Sequence, residues 1–107
     1  MNKYRNIKTE VDGILFDSKK ESYRYLELKC LERAGELTHL ELQPKFVFFV
    51  PGKVKDKKIF TYKADFKYYL KGSDKTVIED VKGIKTPVYK LKKKLIEALY
   101  NIEIIEI

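Results

Sequence analysis

The sequence predicts a mixed α+β domain, with a mixed central sheet flanked by helices. Three observations lead there. A helical stretch with a capping signal begins at Ser18. An alternating run folds back on itself near Gly72. A second helical stretch precedes a short β-branched segment at the end of the chain. The 107 residues suit one domain, 1–107, rather than two. Hydrophobic residues make up 44% of the chain, enough for a core.

The elements follow in order. After a short basic lead, Val11–Phe16 carries Asp12-Gly13 as a tight turn. Ser18-Lys19-Lys20-Glu21 has capping-box spacing, with serine at the cap and glutamate three residues on. A helix from there runs to Arg33 or Ala34, and Gly35 stops it. Tyr25, Leu28 and Leu31 lie along one side of this helix, with Leu26 and Cys30 on another. The apolar surface is broad, and Cys30 reads as a core residue. Strand-like stretches follow around Leu40–Leu42 and Lys45–Val50, with Gln43-Pro44 between or within them. Pro51-Gly52 ends that region, and Lys53–Lys58 is a basic loop.

Ile59–Leu70 alternates as a single strand. Phe60, Tyr62, Ala64, Phe66 and Tyr68 face one way, and Thr61, Lys63, Asp65 and Lys67 the other. Lys71–Asp74 is a turn centred on Gly72-Ser73, Thr76–Lys82 is the return strand, and Gly83 breaks it. Pro87 opens a second helix, Val88 to about Tyr100, with Leu91, Leu95, Ala98 and Leu99 at helical spacing. Ile102–Ile107 reads as a last strand. A helix between it and Thr76–Lys82 suits a parallel crossover.

Composition narrows the chemistry. No stretch approaches the roughly 18–20 apolar residues of a membrane span. The polar start, Met1–Arg5, has no apolar run behind it, so no signal peptide and no membrane association are expected, and an intracellular location is. Cys30 is the one cysteine and His39 the one histidine. They exclude an intramolecular disulfide and a zinc cluster built on cysteines or histidines. Any bound metal must be held by oxygen, which points to Mg²⁺, Mn²⁺ or Ca²⁺. A net charge of +7 favours a polyanionic partner, nucleic acid above all.

The hairpin brings together residues with a chemical logic. If Gly72 and Ser73 are its loop, Lys71 pairs with Asp74, and counting outward sets Asp65 opposite Asp80. Opposed residues share a face with Cβ atoms about 5 Å apart. Two carboxylates that close repel, unless a divalent cation lies between them. Lys82 points to the same face. Two carboxylates can hold Mg²⁺ and leave its other positions for water and a phosphate oxygen, while a lysine orients or deprotonates the water. Hydrolysis of a phosphodiester is the reaction this suits. A one-residue slip would bring Glu79 to the face of Asp65 instead, which makes Glu79 the reserve candidate. The plainer alternative pairs Asp65 with Lys63 or Lys67, and Asp80 with Lys82, on an exposed sheet face. Glu21 also has two readings: a capping-box glutamate, or a third carboxylate pointing from the first helix into the site.

Ala64-Asp65, a gap, then Asp80-Val81-Lys82 resembles the PD-(D/E)XK signature of restriction-endonuclease-like nucleases. The element order resembles that superfamily's αβββαβ core, where a glutamate on the first helix is common. The whole chain also resembles a family of small phage-encoded endonucleases similar to Holliday junction resolvases. The strings that carry this likeness are Thr9-Glu10-Val11-Asp12-Gly13, Phe16-Asp17-Ser18-Lys19-Lys20-Glu21, Leu42-Gln43-Pro44-Lys45-Phe46, Ala64-Asp65-Phe66, Glu79-Asp80-Val81-Lys82-Gly83 and Tyr89-Lys90-Leu91-Lys92-Lys93-Lys94. One departure is Ala64, where the signature has proline.

The resemblance implies Asp65, Asp80 and Glu21 as ligands of Mg²⁺, with Mn²⁺ as a substitute, and Lys82 as the catalytic lysine. It implies cleavage of duplex or branched DNA, and by analogy with junction cutting a homodimer. In a phage or prophage setting the location would be the host cytoplasm. Lys85, Lys90, Lys92, Lys93 and Lys94 are candidate phosphate contacts, and so are Lys53, Lys55, Lys57 and Lys58 in the loop. Two competing functions are a non-catalytic nucleic-acid-binding module of the same fold and a phage protein that binds a host protein.

Overall fold

The computed structural model describes residues 7–73, 75–82 and 85–107. The Met1–Arg5 lead, Asp74 of the turn and Gly83 lie outside the described residues. The described chain opens with a hairpin of β1 (Thr9–Val11) and β2 (Ile14–Phe16). Its turn holds Asp12 at φ 53° and Gly13 at φ 76°. Two successive positive φ values match the right-handed twist of the strands, and Asp-Gly tolerates them.

Helix α1 (Lys19–Arg33) is capped by Ser18, whose Oγ accepts from the Glu21 N–H at 3.2 Å. At its other end Gly35 sits at φ 79°. The Glu36 N–H reaches the Leu31 carbonyl at 2.9 Å and the Gly35 N–H reaches that of Glu32 at 3.1 Å, a Schellman closure. Glu21, Ser22, Tyr25 and Leu28 form the buried side. The apolar surface is therefore a stripe, narrower than the sequence suggested. Leu26, Leu31 and Cys30 are exposed, so Cys30 is a surface residue and not part of the core. A helix lying on a sheet buries one stripe about 100° wide, and Cys30 falls opposite that stripe.

The remaining elements are β3 (Leu37–Leu42), β4 (Lys45–Val50), β5 (Lys57–Lys63), β6 (Phe66–Leu70), β7 (Thr76–Asp80), α2 (Pro87–Tyr100) and β8 (Ile104–Glu106). A four-stranded sheet has the order β3-β6-β7-β8. Its first three strands are antiparallel neighbours, and β8 lies parallel to β7 across the α2 crossover. The sheet is mixed, and the fold is α+β. With the β1–β2 and β4–β5 hairpins set aside, the order is helix, three strands, helix, strand.

The expected single strand Ile59–Leu70 is two strands in two sheets, broken at Ala64-Asp65. The cause lies in the neighbouring strand. Gln43 takes φ 53° and is followed by Pro44, which has no N–H to give a ladder. β3–β4 and β5–β6 turn the same corner together. The Gln43 N–H donates to the Asp65 carbonyl at 2.9 Å and the Ala64 N–H to the Pro44 carbonyl at 3.0 Å. One register, with Glu41 opposite Lys67 and Phe46 opposite Tyr62, runs through the bend.

The bend also divides the predicted apolar face between two cores. Phe66 and Tyr68 pack with Phe16, Tyr25, Leu28, Leu37 and Val77 on the α1 side. Tyr62 and Ala64 pack with Ile78, Ile96 and Ile104 on the α2 side. In α2, Ile96 is the buried residue, while Leu91 and Leu99 are exposed. Tyr89, Ile96 and Tyr100 share the face against β4–β5. Tyr100 meets the Phe46 ring edge-on, and its hydroxyl donates to the Val47 carbonyl at 2.8 Å. Among the described residues no helix is long and apolar enough to cross a membrane.

Candidate active site

The β6–β7 register sets Phe66 opposite Glu79 and Lys67 opposite Ile78. Continued by one residue, it brings Asp65, just outside β6, level with Asp80, the last residue of β7. The Asp65 N–H donates to the Glu79 carbonyl at 3.0 Å, a slip that accompanies the bend. Asp65 Oδ2 accepts from the Val81 N–H at 2.6 Å, and the Asp65 carboxyl is close enough to that of Asp80 for each to feel the other. Asp80 is fully buried. The Tyr62 hydroxyl donates to its Oδ2, and Lys82 Nζ lies 3.3 Å from its Oδ1. Oδ1 accepts no hydrogen bond among the described residues, since the lysine sits within ion-pair range but off the hydrogen-bonding direction.

Glu79, the reserve candidate, points to the opposite face. Arg24 of α1 clasps it with Nε at 2.7 Å and Nη2 at 2.6 Å, and the Tyr68 hydroxyl donates to it as well. Both carboxylate oxygens are used, so Glu79 ties α1 to the sheet. Burial and the bond to Glu79 push the Tyr68 hydroxyl up to about 12.

The acids strain against one another. Burial is the largest influence on Asp65 and pushes its carboxyl up to about 8; the Val81 N–H opposes the rise, and Glu21 and Asp80 add to it. Burial likewise raises Glu21, with Asp17 and Asp80 contributing, against Lys63 and Lys82. Glu21, Asp65 and Asp80 therefore feel each other's charge. Glu21 is buried, and its carboxylate makes no bond back to the Ser18 N–H, so only the serine half of the capping box forms.

Lys82 is half-buried, and its ammonium lies 5.1 Å from the centre of the Tyr89 ring. Tyr89 leans on Tyr62, with ring centres 6.3 Å apart, and donates its hydroxyl to Glu106 at 2.9 Å. Tyr62 and Tyr89 were not legible as site residues. Alternation put Tyr62 on the face away from Asp65, and only the bend brings its hydroxyl to Asp80. Of the candidate phosphate contacts in and just before α2, Lys85 pairs with Glu106 at 3.4 Å and Lys93 with Glu97 at 3.2 Å. Lys92 lies over the Phe60 ring at 5.4 Å. Lys90 and Lys94 are exposed and make no ion pair among the described residues.

The plainer reading of the aspartates fails in part. Asp65 has no ion pair with Lys63 or Lys67 among the described residues. Asp80 pairs with Lys82, but in the interior rather than on an exposed face. As the side chains stand, no three carboxylate, imidazole or thiol groups among the described residues are arranged to hold a metal ion. The donor chemistry nonetheless fits a hard divalent cation. The groups are all oxygens, one buried oxygen has no hydrogen bond among the described residues, and a cation would offset the repulsion between the carboxyls.

Fold and site together define a small α+β domain whose buried acids and lysine converge where β7 ends. The family described as "Protein of unknown function (DUF1064)" matches residues 1–105, and the chain belongs to it. No curated protein and no solved structure matches the chain.

Proposed function

We propose that this protein is a metal-dependent endonuclease that hydrolyses DNA phosphodiester bonds, with selectivity for branched or junction DNA. The observation that carries the reading is the convergence of Asp65, Asp80 and Lys82 at the end of β7, with the buried Asp80 Oδ1 left without a hydrogen bond. A fold accepts a buried pair of acids at a cost in stability, and active sites are where such costs are kept.

Asp65 and Asp80 would hold Mg²⁺, with Mn²⁺ as a substitute, and Glu21, which feels the charge of Asp80, would assist. The bound cation would supply an acidified water and charge neutralisation at the phosphate. The Tyr62 hydroxyl and the Val81 N–H fix the two carboxylates in place. Lys82, held by Asp80 and the Tyr89 ring, would orient the attacking water or stabilise the added negative charge. Lysine contacts to phosphates carry no sequence information, which favours recognition by shape.

The test is cleavage of labelled four-way junction and matched linear duplex, with Mg²⁺ or EDTA, by wild type, Asp80→Ala and Asp80→Asn, with folding of each checked by circular dichroism. Cutting that needs both the cation and Asp80 is expected. Cutting that survives in folded Asp80 variants would refute the assignment. Binding without turnover under any divalent cation would favour a non-catalytic module, a reading supported by the way Tyr62 and Lys82 already occupy Asp80.

A further inference from the structure

The β4–β5 ribbon has two faces of different character. Phe46, Phe48, Phe60 and Tyr62 pair with one another across the strands and pack towards α2. Alternation turns Lys45, Val47, Thr61 and Lys63 outward. The extra residue Ile59, at the register shift beyond Phe48, brings Lys58 opposite Phe49 and onto this same outer face.

Lys45 stands directly opposite Lys63. Like charges at such positions destabilise a sheet, yet both ammonium groups are exposed and neither makes an ion pair among the described residues. The tip adds Lys53, Lys55 and Lys57 with Asp56 as the one acid. Around α2 the pattern is mixed: Lys85 and Lys93 have acid partners, while Lys90 and Lys94, like the ribbon lysines, have none among the described residues.

Position and shape add to charge. Lys63 is close enough to Glu21 to lower its carboxyl, and Asp65 follows two residues later on the same strand path. The basic face therefore runs into the carboxylate cluster. Seven residues of β5 span about 20 Å. The chain measures 48 × 45 × 22 Å, with a radius of gyration of 15.6 Å against the roughly 13 Å usual for this length.

We propose that the outer face of this ribbon is the docking surface for the sugar-phosphate backbone of double-stranded DNA, and that it lays the duplex across the carboxylate cluster. A two-stranded ribbon fits the major groove of B-form DNA, about 12 Å wide, with its lysines towards the flanking phosphates. The inference rests on the nuclease reading for why the duplex is held there, but the binding face itself can be tested without cleavage.

The experiment measures binding of a labelled 30-base-pair duplex of arbitrary sequence against KCl concentration, in EDTA and again in Ca²⁺. Wild type is compared with Lys45→Gln/Lys63→Gln, and with Lys71→Gln/Lys75→Gln at the far end of β6 and β7 as control. Loss of two phosphate contacts should lower the log–log salt slope by about 2 and weaken binding about tenfold or more at moderate salt. The control should keep the wild-type slope. Lys45→Gln alone should melt no lower than wild type, because it removes a repulsion. Wild-type slope and affinity in the ribbon variant would overturn the inference, even if the chain cuts DNA. A ribbon-dependent slope without cutting would support it while the nuclease reading fails. No duplex binding in either buffer, with capture by phosphatidylserine vesicles or self-association instead, would also overturn it.

Discussion

Asp65 makes the stability of the cation-free chain depend on pH in a direction opposite to that of an ordinary salt-bridged aspartate. Its carboxyl, normally near 3.8, is held at about 8 by burial and by its acidic neighbours. The folded state therefore binds this proton more tightly than the unfolded state. The contribution to stability is complete below about pH 4 and is lost as the pH climbs through 8. Each pH unit across that window is worth about 1.36 kcal/mol, so the loss between pH 5 and pH 8 is on the order of 4 kcal/mol. That is a large share of the roughly 5–15 kcal/mol that holds a domain together. Glu21 is raised as well and acts in the same direction. Urea denaturation in EDTA at pH 5, 6, 7 and 8 measures the effect. Wild type should weaken steadily. Asp65→Asn, which keeps an acceptor for the Val81 N–H, should stay nearly level and be the more stable protein at pH 8. A wild-type stability flat within about 1 kcal/mol over this range, or an Asn variant that falls as steeply, would refute the reasoning. Mg²⁺ at pH 8 should restore part of the loss in wild type alone, since a ligand that binds only the folded state stabilises it.

Other outcomes follow from the packing. Glu79→Gln leaves the Arg24 guanidinium beside a neutral amide and should cost about 3–5 kcal/mol in denaturant titrations, where a loss under about 1 kcal/mol would show that the pair does not hold α1 to the sheet. Leu28→Ala empties a fully buried site and should cost about 2–5 kcal/mol, whereas Cys30→Ser on the outer side of the same helix should stay within about 0.5 kcal/mol; melting curves of the two distinguish the faces. Ser18→Ala removes the cap of α1 and should cost about 1 kcal/mol. Tyr62→Phe should leave the chain folded but lower the rate of metal-dependent cleavage, since Asp80 Oδ2 loses its donor; an unchanged rate would remove Tyr62 from the site.

Local signals were legible because their causes lie within a few residues. Asp12-Gly13, Ser18 and Gly35 each set a turn, a cap or a stop through their own backbone preferences, and each appears where the sequence puts it. The register of β6 against β7 was legible for a similar reason, because one short turn sets the pairing of both strands. What lay hidden depends on partners distant in sequence. The break at Ala64-Asp65 answers Gln43-Pro44 on the strand beside it, more than twenty residues away, and alternation alone reads straight through it. That bend carries Tyr62 to Asp80 and separates the two cores. Which side of a helix is buried was equally out of reach for α1 and α2. Periodicity describes all faces of a cylinder, but only the neighbouring sheet decides that Ile96 is covered while Leu91 and Cys30 face solvent. The sequence by itself determined the two helices with their cap and stop, the β6–β7 hairpin register and the mixed α+β class. The tertiary structure alone decided the corner that aims the acids of the candidate site inward, because it needs two strands bending together.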